Sequence, residues 1–221
     1  MRLLCKALVK FIVGLILVGV LLFFPAGSLG YSNGWLLMGL LFIPMLLLGV
    51  VMLLKAPTLL EKRLNAKEKE SSQASIVAAS GIFFLVGFIV AGLDYRFGWS
   101  SVPTWLTIVC SVILTVSYAL YAEVMRENEY LSRTIEVQAD QKVIDTGLYG
   151  IVRHPMYAVT VLMFLSIPIV LGSFWAFLCF LPYVVLIVMR LQGEEKLLEK
   201  ELSGYSEYKK RVKYRLFPLV W

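Results

Sequence analysis

The chain has 221 residues, of which 59% are apolar and only 16% charged, and its mean hydropathy is +0.80. A water-soluble domain averages about 45–50% apolar residues, and several apolar runs here reach the ~20 residues that cross a bilayer as a helix, so a soluble domain is excluded and a polytopic membrane protein is implied. The net charge of +6 is spread along the flanks of the apolar runs, which fits anionic headgroups and argues against a nucleic-acid domain. Cys5, Cys110 and Cys179 form no CxxC and no metal spacing, and read as small buried hydrophobes.

Residues 3–24 are apolar apart from Lys6 and Lys10. A basic start before an apolar run also describes a secretory signal peptide, with Ala26-Gly27-Ser28 as a cleavage-like site. A retained spanning helix is preferred because it keeps the later charge pattern consistent. An uncharged turn, residues 25–34, leads to a second span over 35–54, with Trp35 as an interface anchor and Pro44 as a kink site. Residues 55–70 are polar and of mixed charge, a surface helix or loop. The third span covers 75–93. Its small residues Ser75, Ala78, Ala79, Ser80 and Gly81 predict close helix packing. After a polar turn over 94–103 comes the fourth span, 105–125. The longest polar segment follows, 126–153. The fifth span, 155–171, is short and interrupted by Pro168; the sixth, 174–189, follows after a tight hairpin at Gly172-Ser173. From Arg190 onward the chain is polar and basic.

Lys and Arg number three before the first span, then zero, five, one, four and zero in the successive connections, and eight from Arg190 on. Rich and poor segments alternate, as the positive-inside rule requires. The expectation is an all-α polytopic bundle of about six transmembrane helices, integral in the membrane with both termini cytoplasmic. Two polar clusters would then share one face of the membrane.

The first cluster is DTGLYGIVRHPMY, residues 145–157, which holds the single histidine of the chain, His154. The residue before a proline is pushed out of the helical region, and proline favours the first helical position. His154-Pro155 is therefore the junction between a loop and the fifth span. The first backbone N–H groups of a helix are unpaired and suit a carboxylate. The same residues would also suit an interfacial turn with a basic anchor and a tyrosine belt. The second cluster is Arg190 with Glu194, four apart and on one helix face. The favourable order for a helical ion pair is acid first, and here the base comes first. The pair can hold a charged ligand, or Arg190 can simply snorkel to the interface. Glu195, about 100° around the helix, is expected to be solvated.

Gln138, Gln141-Lys142-Val143-Ile144, Thr146-Gly147-x-Tyr149, Arg153-His154-Pro155-x-Tyr157, Arg190-x-x-x-Glu194-Glu195, Gly204-Tyr205-x-x-Tyr208 and Arg215-x-x-Pro218 follow one another in order and spacing. This ordered set resembles the isoprenylcysteine carboxyl methyltransferase family, integral-membrane methyltransferases related to phospholipid N-methyltransferases. The resemblance covers about the last 90 residues. It implies S-adenosylmethionine as methyl donor, held by Gln138, Gln141, Lys142, Val143, Ile144, Tyr149, His154, Pro155, Met156, Tyr157 and Glu194, with Arg190 toward the acceptor and Arg190 and Glu194 as the catalytic pair. It also implies a cytoplasmic cofactor pocket built from the C-terminal half, residues 126–221, with residues 1–125 as the scaffold on the acceptor side. Gln141 stands where the prenylcysteine enzymes usually have histidine, Met156 where serine is common and Ala158 where glycine is common, so the acceptor is left open. It is a lipophilic or membrane-associated molecule: a prenylcysteine-like carboxylate, a phospholipid amine or a thiol.

The residues agree with that resemblance. The donor carries a carboxylate, an amine and a sulfonium, and so requires both signs of charge nearby and aromatic faces for its cation. No glycine-rich turn joins a strand to a helix, which excludes a soluble Rossmann methyltransferase. No metal and no nucleic-acid partner is expected. A transporter would place ionisable groups mid-membrane, and the four central spans have none there; a scaffold would not need the ordered motifs. The orientation has a direct check. A cysteine introduced at Asn33 should react with an impermeant thiol probe only from the non-cytoplasmic side; labelling from the cytoplasm alone would invert the topology.

Overall fold

A computed structural model describes residues 2–64, 71–132 and 134–221. The apolar runs form helices α1 (Arg2–Ala26), α2 (Ser32–Lys55), α4 (Ser71–Phe97) and α5 (Thr104–Glu127), with a short α3 (Pro57–Leu64) after α2. A 3₁₀ turn, Gly147–Gly150, precedes α6 (Pro155–Val170), α7 (Phe174–Phe180), α8 (Pro182–Glu201) and α9 (Tyr205–Arg211). No strand occurs among the described residues, and five helical stretches have the length and composition to cross a membrane. The polytopic all-α bundle read from the sequence is the architecture observed.

Two spans differ from their sequence description. The 16 residues of α6 rise about 24 Å at 1.5 Å each, short of a hydrocarbon core of about 30 Å. Pro168 does not break it, because it falls in the last turn. The apolar run 174–189 is instead divided at Leu181-Pro182, where proline lacks the N–H that would continue the ladder. The two pieces, α7 and α8, together with the polar continuation of α8, form the fifth long stretch.

Of the small residues near the start of α4, Gly81 makes no close contact. A side chain built at Gly81 would meet nothing within 4 Å. A Cβ at Gly87 would instead stand 2.2 Å from the Phe180 ring on α7, and one at Gly92 would stand 2.6 Å from the Leu22 carbonyl oxygen on α1. α4 therefore approaches both neighbours further along, toward its C-terminal end. Phe84, Phe88 and Phe180 interlock there edge to face, over a core that includes Leu22, Leu37, Leu114 and Ile167. α1 is outermost, and Val9, Ile12, Val13 and Ile16 are exposed for lipid.

The two ends of the bundle differ in chemistry. At one end the three short connections meet. The Tyr31 hydroxyl donates to Leu171 O at 2.6 Å and the Asn33 amide to Val170 O at 2.9 Å. Buried Asp94 accepts from the Ser100 N–H and hydroxyl, each at 2.6 Å, and from the Ser173 hydroxyl. Arg96, in the last turn of α4, is the one basic residue at this end among the described residues. At the other end lie the start of α1, α3, the loop after α5, the polar end of α8 and the tail, which hold most of the basic residues among those described. Lys10 on α1 donates to Leu64 O at the end of α3.

The glycine contacts give a paired test. Gly92→Val should overpack the α1–α4 contact and cost about 1–3 kcal/mol, read as a lower melting temperature in detergent. Gly81→Val should leave the melting temperature unchanged.

Candidate active site

The loop between α5 and α6 is anchored by the end of α5. The Leu148 N–H donates to both oxygens of Glu127, at 2.9 and 3.2 Å. The turn that presents this N–H requires φ +53° at Gly147, and a Cβ there would overlap the Glu127 carboxylate at 1.5 Å. Only glycine satisfies both conditions. Next to it the Asn128 amide donates to the Tyr149 hydroxyl at 3.0 Å, and the Tyr208 hydroxyl on α9 donates to Tyr149 O at 2.7 Å. Gln138 is held on three sides: its N–H donates to Gln141 Oε1 at 2.9 Å, its amide to Tyr130 O at 2.5 Å, and it accepts from Lys62 of α3 at 2.6 Å.

The Arg153-His154 pair that opens α6 is clamped by the tail. The Arg153 and His154 N–H groups donate to Tyr214 O and Arg215 O, both at 2.9 Å. The Arg153 guanidinium donates to Val212 O and Lys213 O at 2.8 Å, and its Nε to Glu195 Oε1 at 2.8 Å. His154 Nε2 lies 3.3 Å from the same oxygen, and Arg215 Nε donates to Glu195 Oε2 at 3.1 Å. Glu195 is thus only 4% exposed, not solvated as the sequence suggested. Glu195 does lie on a different face from Glu194, but that face of α8, beyond the apolar run, is covered by the loop and tail. Burial pushes the Glu195 carboxyl up; hydrogen bonds from His154 and Arg153 outweigh it and hold the group at about 2.

Glu194, one position round, faces elsewhere. It accepts from the Tyr157 hydroxyl at 2.5 Å, and Arg190 also hydrogen-bonds that tyrosine. These residues sit on a cavity of about 630 Å³, within the 300–1,000 Å³ usual for small-molecule sites. Gln141, Lys142, Val143, Ile144, Tyr149, His154, Met156, Tyr157, Arg190 and Glu194 all contribute to its wall. Gln138 and Pro155 do not: Gln138 braces the loop behind the wall, and Pro155 is buried as the first residue of α6. The sequence did not single out Glu127, Asn128 or α9 as supports. Tyr205 of α9 also lines the cavity, and its buried hydroxyl has no hydrogen-bond partner among the described residues. Burial and the nearby Glu195 and Glu194 push its pKa up, so it stays a neutral donor.

The cavity continues from this polar end into the bundle. Met45, Leu48, Gly49 and Met52 of α2, Tyr118 and Tyr121 of α5, Met163 and Phe164 of α6 and Ile187 of α8 form the apolar part. A charged end and an apolar end thus share one space. That arrangement can hold a polar molecule beside a lipophilic one.

Comparison with known proteins bears on this half of the chain. The family described as phospholipid methyltransferase matches residues 102–204, which span α5 to the turn before α9 and include every cavity residue that α6 and α8 supply. The Delta(14)-sterol reductase TM7SF2 of Mus musculus is 33% identical over 91 residues, 40% of this chain and 22% of the mouse protein. The aligned region thus spans about a fifth of that relative.

The buried carboxylate gives a stability test. Ionised Glu195 contributes its full stabilisation above its ordinary value near 4.5, and loses it as the pH falls toward about 2. Glu195→Gln leaves Arg153 buried without its counter-ion and should cost about 3–5 kcal/mol. Melting curves across pH should show a lower midpoint at neutral pH and a weaker acid limb than wild type.

Proposed function

From the match of residues 102–204 to the family described as phospholipid methyltransferase, we propose that the chain transfers a methyl group from S-adenosylmethionine to a lipophilic acceptor. The observation that carries the reading is the single cavity with a charged, tyrosine-rich end and an apolar end inside the bundle. Residues 126–221 would form the cofactor side, and the helices before them would help shape the acceptor side, since α2 and α5 contribute Met45, Leu48, Met52, Tyr118 and Tyr121 to the apolar end. The charge alternation supports an orientation with both termini and the cofactor mouth in the cytoplasm.

The residues fit the donor molecule. Its cationic part would lie by Glu194, Tyr149 and Tyr157, and its carboxylate near the start of α6. There Pro155 has no N–H and the His154 N–H is taken by Arg215 O, which leaves the first helical N–H groups, those of Met156 and Tyr157, outside the helix ladder. The unpartnered Tyr205 hydroxyl offers one further donor. When bound, S-adenosylmethionine supplies an electrophilic methyl group on a sulfonium. The protein's part is alignment for an in-line displacement. Arg190 would orient an anionic acceptor such as a prenylcysteine-like carboxylate, which is already ionised at neutral pH. For a phospholipid amine or a thiol, Glu194 or His154 would take the proton.

Calorimetric titration of detergent-purified protein tests this. S-adenosylmethionine should bind, and binding of a reduced nicotinamide cofactor in its place, as a reductase would need, would overturn the reading. Loss of a charged hydrogen bond worth about 1.5–3 kcal/mol corresponds to roughly 10- to 150-fold in affinity. Glu194→Gln should weaken S-adenosylmethionine by that factor. Arg190→Lys keeps the charge but loses the planar fork, so it should bind the donor normally and turn over more slowly. A Glu194→Gln variant with normal donor affinity and a lower melting temperature would make Glu194 a structural residue only.

A further inference from the structure

The tail holds a second constellation that methyl transfer does not use. Leu216 and Phe217 pack on Tyr157, Ala158 and Leu191. Those residues mark where α6 enters and α8 leaves the apolar part of the bundle, so the tail lies at the bilayer surface. The Arg215 and Leu216 N–H groups donate to Trp221 O at 2.8 and 3.1 Å, which closes residues 215–221 into a loop. The tip of that loop exposes Leu219 at 88% and Val220 at 79%. Beside it is a cleft of about 410 Å³ lined by Arg153, Lys209, Lys210, Lys213, Arg215 and Trp221.

The charge in this cleft is not balanced. Glu195 serves Arg153 and Arg215, and Glu199 pairs with Lys209. Lys210 and Lys213 are exposed and have no acidic partner among the described residues. The Arg215 guanidinium stacks over the Trp221 ring at 4.7 Å. The other four tryptophans, Trp35, Trp99, Trp105 and Trp175, all belong to the opposite end of the bundle. Trp221 is therefore the one indole at the basic end, where an aromatic belt residue meets headgroups.

We propose that this cleft and loop seat one anionic phospholipid, its phosphate among Lys210, Lys213 and Arg215 and its acyl chains beside Leu219 and Val220. Basic residues at a membrane surface attract anionic lipid, and two exposed aliphatic side chains at that depth gain from contact with hydrocarbon. A free phosphate would satisfy the cations but not the apolar tip. The seat touches the active-site scaffold, because the same tail accepts the Arg153 and His154 N–H groups.

The test uses full-length protein in nanodiscs, with Trp221 fluorescence taken as the difference between wild type and Trp221→Phe. Brominated phosphatidylglycerol should quench it at a much lower mole fraction than brominated phosphatidylcholine. Each lysine near an anionic surface is worth about five-fold in affinity, so Lys210→Gln with Lys213→Gln should cut the preference by roughly 25-fold. Equal quenching by the two lipids in wild type, or a preference that survives the double substitution, would overturn the proposal. Displacement of the lipid by millimolar inorganic phosphate would also overturn it and assign the cleft to free phosphate.

Discussion

A buried carboxylate, Glu195, ties together three segments that are far apart in the chain. Removing a lone carboxylate from water costs several kcal/mol, and this one is offset by Arg153, His154 and Arg215 at 2.8, 3.3 and 3.1 Å. Arg153 is itself satisfied by the Val212 and Lys213 carbonyls. No member can leave without exposing an unmatched charge to a poorly hydrated interior. The loop before α6, the polar end of α8 and the tail are consequently one unit, and His154 is held at the cavity wall by it.

The bundle divides its work between its ends. The end with the short connections is closed by hydrogen bonds from Tyr31 to Leu171 and Asn33 to Val170 and by the buried Asp94 carboxylate, which accepts from Ser100 and Ser173. The basic end has long connections, and its order comes from specific polar contacts such as Glu127 with the Leu148 N–H. Between them α2, α5, α6 and α8 leave an apolar space that opens into the polar site. Neighbouring acids on α8 are assigned opposite tasks by one step of helical rotation: Glu195 goes into the scaffold, and Glu194 stays on the cavity wall with Tyr157.

Some of this was legible before any fold was known. The apolar runs announce their own helices because a bilayer leaves no other way to satisfy backbone groups. The Pro155 helix start follows from what a proline does to its neighbours. The two polar clusters could be named because each is contiguous in the chain or spans one helical turn. Both clusters contribute to the polar end of the pocket wall, with Gln138 and Pro155 behind it.

The rest depends on which helix lies against which, and on its rotation. Nothing local separates Glu195 from Glu194, or Gly87 and Gly92 from the exposed Gly81; the difference is the neighbour each one meets. Gly147 is required both by its positive φ and because Glu127, twenty residues earlier, occupies the space of a Cβ. The unpartnered Tyr205 hydroxyl and the joining of the tail to Arg153 are likewise facts of three-dimensional arrangement. Length and hydropathy thus determined the membrane class and most of the helical runs, since lipid and water act on each segment separately. Only the tertiary structure decided which acid is buried, which glycine is obligatory and how the polar and apolar halves share one cavity, because burial and close contact are properties of pairs of segments.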